Sequence, residues 1–307
     1  MAIPNEVRKC VFFAGYRMAD GSVRLAGTAF CLARLIEGTT SAWHYAVTAR
    51  HVIDHIRKLG IDKVLLRINH KSGGAFWAET NIADWSMSPE GPSVDVAILR
   101  YRLETEWEHL SIPLSMFVTD KLIETEEIGV GDEVFMTGLF SPHFGERNNI
   151  PIVRVGNISA MPGEKVNTRV GPMHAYLIES RSIGGLSGSP VFVNLGLVRH
   201  GKFSSTGKPI FYLLGLVYGH YDIGEVAIDA NELNPVADDG LRARNVNMGI
   251  AIVVPISKIM EILNLPSLRD TERPIEEELR KKNLPAQGVA EQAEQPFTKQ
   301  DSPTVKG

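Results

Sequence analysis

The sequence predicts an all-β protein built as two six-stranded antiparallel barrels packed together and followed by a short helix. Three observations lead there. From Cys10 to about Pro255 the chain is a succession of short apolar or alternating runs broken by Gly, Pro, Asn and Asp, which is the punctuation of strands and turns. Such runs number about a dozen, the count that two six-stranded barrels require. Helical periodicity, by contrast, is confined to a short stretch after His51 and a firmer one from Ile256 to Leu263, neither able to cover a parallel sheet.

In chain order the strands are expected at Val11 to Tyr16, Gly27 to Leu35, Trp43 to Thr48, Lys63 to Ile68 and Val94 to Tyr101. After a division placed between Leu103 and Glu127, where charges and Pro113 interrupt the pattern, they resume at Glu133 to Gly138, Ile152 to Ile158 and His174 to Glu179. Pro190 to Asn194, Ile210 to Tyr218 and Met248 to Val253 complete the series. Turn formers crowd Ser141 to Asn149, Pro162 to Pro172 and His200 to Pro209, which read as mobile surface loops. From 266 to 307 Pro, Glu, Gln, Lys and Arg dominate, which predicts a charged, largely disordered tail. Within it Pro274 to Lys282 suits a short helix that docks Ile275 and Leu279, four residues apart on one face.

Bulk properties exclude more than they assign. The 307 residues are 44% hydrophobic and 22% charged, enough apolar material for a sizeable core. The formal net charge of −4 arises from signs mixed along the chain, with no basic face to suggest nucleic acid or anionic lipid. The longest apolar runs, such as Ile210 to Val217, fall far short of the roughly 20 residues that cross a bilayer. Met1 to Lys9 lack the basic, apolar and small-residue segments of a secretory signal, so a cytoplasmic location is expected. The two cysteines, Cys10 and Cys31, lie in apolar strand-like segments and read as reduced structural thiols.

Chemistry concentrates in three short segments. Val47-Thr48-Ala49-Arg50-His51-Val52 ends an apolar strand at a histidine. Val94-Asp95-Val96-Ala97-Ile98-Leu99 sets one carboxylate in an apolar strand, where its desolvation demands partners. Gly185-Leu186-Ser187-Gly188-Ser189-Pro190 has the composition of a tight turn. Singly, each has a bland reading: a polar strand end, a satisfied buried acid, a turn.

Taken together and in this order, the three resemble the His, Asp and Ser motifs of the trypsin-like serine proteases. The order differs from that of an α/β-hydrolase, whose nucleophile comes first in a strand-to-helix elbow. The likeness extends over about residues 10 to 264 and is nearest to the HtrA-like branch, carried by Gly27-Thr28-Ala29-Phe30 and by Val130-Gly131-Asp132-Glu133-Val134 with Gly138. Val155-Gly156-Asn157-Ile158-Ser159-Ala160 and Gly249-Ile250-Ala251-Ile252 through Pro255 add to it. Two departures stand out: the usual second glycine after the nucleophile is Ser189, and the chain after Leu265 is too short for the peptide-binding PDZ domain often found in that branch.

The resemblance implies a serine endopeptidase that needs no cofactor or metal, acts on protein or peptide substrates, and uses His51, Asp95 and Ser187 as its triad. In that scheme His51 takes the Ser187 proton while Asp95 orients the imidazole. The implied oxyanion donors are the N–H groups of Gly185 and Ser187, and the implied substrate pocket is lined by Arg181, Ser182, Ile183 and Gly184 on one side and Tyr218, Gly219 and His220 on the other. Leu186 stands where many extracellular relatives carry the acid that pairs with a newly cut N-terminus, so no such zymogen switch is implied. The one metal candidate, His51 with His55, lacks the glutamate of a zinc-peptidase helix. Two alternatives remain open: a catalytically restrained scaffold, and a protease confined to itself or one partner.

Overall fold

The computed structural model describes residues 3–102, 104–180, 185–199, 201–203, 210–222 and 247–283. It has an all-β architecture, in two β units whose buried side chains join in one hydrophobic core. The first unit comprises β1 (Val11–Arg17), β2 (Val23–Leu35), β3 (Ala42–Thr48), β4 (Lys63–Asn69), β5 (Ala75–Asn81), β6 (Ser86–Met87), β7 (Ala97–Tyr101) and β8 (Ile112–Pro113). These eight strands run in the order β5-β4-β1-β2-β3-β7-β6, with β8 paired in parallel to β2. The unit therefore differs from a six-stranded barrel. Ladder pairing leaves β5 and β6 as its two ends, because β6 is two residues long and engages only β7.

The second unit is the closed six-stranded barrel expected from the sequence. Its strands are β9 (Glu133–Gly138) and β10 (Ile152–Ala160), then, after the small hairpin β11 (Lys165–Thr168) and β12 (Gly171–His174), β13 (Tyr176–Glu179) and β14 (Pro190–Gly196). A second small hairpin, β15 (Val198–Arg199) and β16 (Lys202–Phe203), precedes the long β17 (Ile210–Asp222) and β18 (Asn247–Pro255). Closure follows the order β10-β13-β18-β17-β14-β9.

Local sequence accounts for these elements. In β1 the consecutive Phe12 and Phe13 are both buried, so this strand is covered on both faces and shows a continuous apolar run in place of alternation. β5, Ala75–Asn81, lies beyond the expected strands, because most of its side chains are half-buried and its sequence shows no strong period.

Two connecting helices punctuate the units. The first, α1 (Arg50–Lys58), buries Val52, Ile53 and Ile56 along one stripe. It stops at Gly60, whose φ of 74° permits the Schellman pair of Gly60 N–H to Arg57 O at 3.0 Å and Ile61 N–H to Ile56 O at 3.4 Å. The second, α2 (Asp120–Glu126), is capped by Thr119, whose side chain accepts from Leu122 N–H at 3.2 Å.

The C-terminal helices correct the sequence reading. α3 (Ile256–Leu263) coincides with the expected helix and buries Ile256, Ile259, Ile262 and Leu263. Beyond it, where a largely disordered tail was expected, α4 runs unbroken from Pro266 to Asn283. Its buried stripe is Leu268, Glu272 and Glu276, while Ile275, expected to dock, is exposed. Glu272 accepts from Tyr45 Oη at 2.6 Å and from Arg269 Nη1 at 2.6 Å, and Glu276 accepts from Trp43 Nε1 at 2.9 Å. A helix read by hydrophobicity alone thus docks on the other face, because acids that find fixed donors can be buried. Residues 284–307 lie outside the described part. No helix among the described residues is long and apolar enough to cross a membrane.

Candidate active site

The site forms where the first unit meets the barrel. β3 pairs with β7 in a register that sets Thr48 opposite Ala97, so the residues just after β3 lie beside those just before β7. That register brings His51 to Asp95. Asp95 precedes the strand and does not sit inside it, as its apolar surroundings had suggested: β7 begins at Ala97, and a bend over Val94 to Val96 turns the carboxylate toward the start of α1.

Asp95 is 1% exposed and makes two bonds to a single residue. Its Oδ2 lies 2.8 Å from His51 Nδ1, and its Oδ1 accepts the His51 backbone N–H at 2.8 Å. The second bond satisfies one of the free amides at the N-terminus of α1, where the helix dipole also favours an anion. The carboxylate therefore fixes both the ring and the backbone that carries it. With Nδ1 turned to the acid, Nε2 is the imidazole nitrogen left to face a substrate. The His51 side chain is 37% exposed, open to one side.

Ser187 lies in the turn between β13 and β14. Gly185 and Gly188 there have φ of 100° and 83°, a region that favours glycine. A Cβ on Gly188 would collide with the Thr28 carbonyl and the Thr48 hydroxyl, so the turn packs directly against the first unit. Hydrogen bonds hold it on both sides. Thr28 N–H donates to Ser187 O at 2.9 Å, Gly188 N–H to Val217 O at 2.8 Å, and Ser189 N–H to Leu186 O at 2.9 Å. The N–H groups of Gly185 and Ser187 have no acceptor among the described residues.

His51 and Ser187 converge on Tyr218 of β17. The Tyr218 ring stands edge-on to the His51 ring at 5.5 Å, and its carbonyl accepts the Ser187 hydroxyl at 3.2 Å. Among the described residues no hydrogen bond joins Ser187 to His51 directly. Of the other expected site residues, Gly219 and His220 follow Tyr218 on β17, whereas Arg181 to Gly184 lie outside the described residues.

The remaining candidates have other surroundings. His55 turns its ring to Tyr16 at 5.9 Å, on the same helix as His51, and no group of three or more potential ligands among the described residues is suited to a metal ion. Both cysteines are buried and free; burial pushes the Cys10 thiol up to about 12 and the Cys31 thiol well above its ordinary value.

Several residues that shape the site escaped the sequence reading. Thr28 ties the serine turn to the first unit, and Thr48 supports it by donating its hydroxyl to the Thr28 carbonyl; a threonine is an ordinary occupant of a strand, so only these partners give either residue its role. Arg67 reaches from β4 to the loop after β9, donating to Gly145 O and Glu146 O at 2.7 Å each and to Asn149 Oδ1 at 3.1 Å. The segment Ser141 to Asn149, expected to be mobile, is in this way pinned to the first unit. Ser189, in place of the usual glycine, has a buried hydroxyl with no hydrogen-bond partner among the described residues.

No family model and no curated protein matches the sequence. Among solved structures, the chain is similar to the MamO protease domain from Magnetospirillum magneticum, with a TM-score of 0.49 and 13% identity over 84% of this chain and 97% of that one. It is also similar to a glutamic acid specific serine protease, described as using a histidine triad in substrate binding, with a TM-score of 0.37 and 16% identity over 81% of this chain and 94% of that one. Thermobifida fusca Protease A gives a TM-score of 0.36 and 13% identity, over 81% and 91% of the two chains.

Proposed function

We propose that this protein is a serine endopeptidase that hydrolyses peptide bonds through an acyl-enzyme, with His51, Asp95 and Ser187 as its triad. The observation that carries the reading is the pair of hydrogen bonds between Asp95 and His51, at 2.8 Å to the ring and 2.8 Å to the backbone. A buried acid committed to one histidine, beside a serine on a glycine turn, is the arrangement that nucleophilic acyl transfer needs.

In the proposed cycle the Ser187 hydroxyl leaves the Tyr218 carbonyl, gives its proton to His51 Nε2 and attacks the scissile carbonyl. Asp95 keeps the proton of Nδ1 in place and stabilises the imidazolium without accepting that proton. The N–H groups of Gly185 and Ser187, which have no acceptor among the described residues, are the donors for the oxyanion, and loss of one such donor typically costs about 3 kcal/mol of transition-state stabilisation. His51 then returns its proton to the departing amine, and water repeats the sequence on the ester. The P1 side chain is assigned to a pocket with Tyr218, Gly219 and His220 on one side; Arg181 to Gly184, which the resemblance puts on the other, lie outside the described residues. The substrates are proteins or peptides.

A fluorophosphonate probe tests this. Covalent labelling of the parent protein, abolished in Ser187→Ala and reduced at least a hundredfold in His51→Ala, is the expected result. Labelling that persists in Ser187→Ala would overturn the assignment. One observation favours a second reading, a restrained scaffold: Ser187 donates to the Tyr218 carbonyl and not to His51. On that reading the folded parent protein takes up no probe at any pH between 5 and 9.

A further inference from the structure

Thr28 is wholly buried in the apolar strand β2, where a hydroxyl without partners would be costly, and its hydroxyl and backbone N–H are both directed at the serine turn. Its hydroxyl donates to Gly185 O at 2.8 Å and accepts Leu139 N–H at 2.9 Å. Its backbone N–H donates to Ser187 O at 2.9 Å, and its backbone carbonyl accepts the Thr48 hydroxyl at 2.6 Å. One residue of the first unit thus holds two carbonyls of the serine turn and one amide of the loop leaving β9.

The consequence follows from peptide planarity. A carbonyl that is fixed fixes the whole plane to which it belongs. Gly185 O is held by the Thr28 hydroxyl, Leu186 O by Ser189 N–H, and Ser187 O by Thr28 N–H, so three consecutive planes are set; they carry the N–H groups of Leu186, Ser187 and Gly188, and the Ser187 donor lies in the middle one, between the two that Thr28 holds. Gly185 meanwhile has a φ of 100° and an amide with no acceptor among the described residues. Its N–H belongs to the plane that precedes the held Gly185 carbonyl and is joined to it by rotations at a Cα with no side chain, so holding Gly185 O limits the directions that N–H can take. Packing leaves no slack for a substitute. A Cβ on Gly138 would lie 2.8 Å from the Thr28 hydroxyl, and one on Gly185 would lie 3.1 Å from the Leu139 carbonyl.

We propose that Thr28 is a positioning residue for the reaction: its hydroxyl, shared between Leu139 and Gly185, holds the serine turn in the conformation that presents the oxyanion donors. This rests on the reading of Ser187 as the nucleophile.

Thr28→Val keeps the shape and removes the hydroxyl, and Thr28→Ser restores it. Labelling by a fluorophosphonate probe is expected to slow at least tenfold in Thr28→Val and to stay within threefold of the parent in Thr28→Ser, with the midpoint of the pH profile unmoved in both. Should Thr28→Val not fold, Thr28→Ala, which leaves room for a water, takes its place with the same expectation. Parent-rate labelling in Val or Ala, or a Ser variant as slow as Val, would overturn the proposal. If the parent is not labelled at all, the nucleophile reading fails and amide exchange decides the role of Thr28. Leu139 N–H should then exchange at least tenfold faster in Thr28→Val, with a displaced Gly185 amide resonance, whereas unchanged exchange and resonance would refute the hold.

Discussion

His109 packs its ring against Phe12 at 5.9 Å and Trp107 at 6.2 Å, with a buried Nδ1 that has no hydrogen-bond partner among the described residues. Burial, with the nearby His44 adding to it, brings its pKa down to about 4. Burial lowers His44 as well. The unfolded chain binds a proton at an ordinary histidine near pH 6.5, where the folded one does not. Stability is therefore full above that pH, declines as the pH falls toward 4 and is lost in full below it. For His109 the loss is on the order of 1–3 kcal/mol. Denaturant midpoints taken from pH 7 to pH 4 should fall in the parent and fall less steeply in His109→Gln. A slope identical in the two proteins would exclude His109 as the cause. Asp95 was legible from the chain at this scale, since an acid among Val94, Val96 and Ala97 calls for a partner. Thr28 was not, because a threonine is an ordinary occupant of a strand and only its partners, 111 and 157 residues away, give it a role.

Among the elements, α4 departs furthest from its sequence. Its composition resembles a solvated tail, yet Glu272 is 0% exposed and is met by Tyr45, Arg269 and Arg34, the last at 3.4 Å. Glu276 would be raised by burial alone, but bonds from Arg269 and Trp43 bring it below the ordinary carboxylate range. Arg34 also reaches Leu263 O and Asn264 Oδ1 at 3.0 Å each, so β2 holds the junction of α3 and α4. Removing one member of such a buried cluster leaves the others desolvated and unpaired. Glu272→Ala is accordingly expected to destabilise the protein by about 3 kcal/mol, read as a lowered urea midpoint with an unchanged slope. A midpoint within error of the parent would show that the buried cluster adds nothing. The helix itself was partly visible in the sequence, but its buried face depended on donors that β2 and β3 bring from more than two hundred residues away.

At the scale of the whole molecule, contacts between the β units are distributed along their boundary. Thr28 joins Leu139, Gly185 and Ser187; Arg67 joins Gly145, Glu146 and Asn149; and Val118 N–H donates to Leu213 O at 3.0 Å just ahead of α2. Beneath them the buried side chains of both units form one continuous hydrophobic cluster. Because this cluster is shared, loss of one unit would expose apolar surface of the other, and both should unfold together. Calorimetry is expected to give one transition with calorimetric and van't Hoff enthalpies in agreement. Two resolved transitions would mean that the units are energetically independent. The same boundary carries the site, with His51 and Asp95 on one side and Ser187 on the other, so an opening of the units would separate base from nucleophile.

Taken by itself, the sequence determined the all-β class, the run of α3 and the three motifs in their order. Each of these is written in neighbouring residues: apolar alternation, turn formers, a lone acid, glycines beside a serine. Tertiary structure alone decided that the first sheet has eight strands, that Asp95 precedes its strand, that α4 docks through glutamates and that Thr28 holds the serine turn. These depend on strand register and on which distant donor meets which acceptor, and such pairings exist only once the chain has closed on itself.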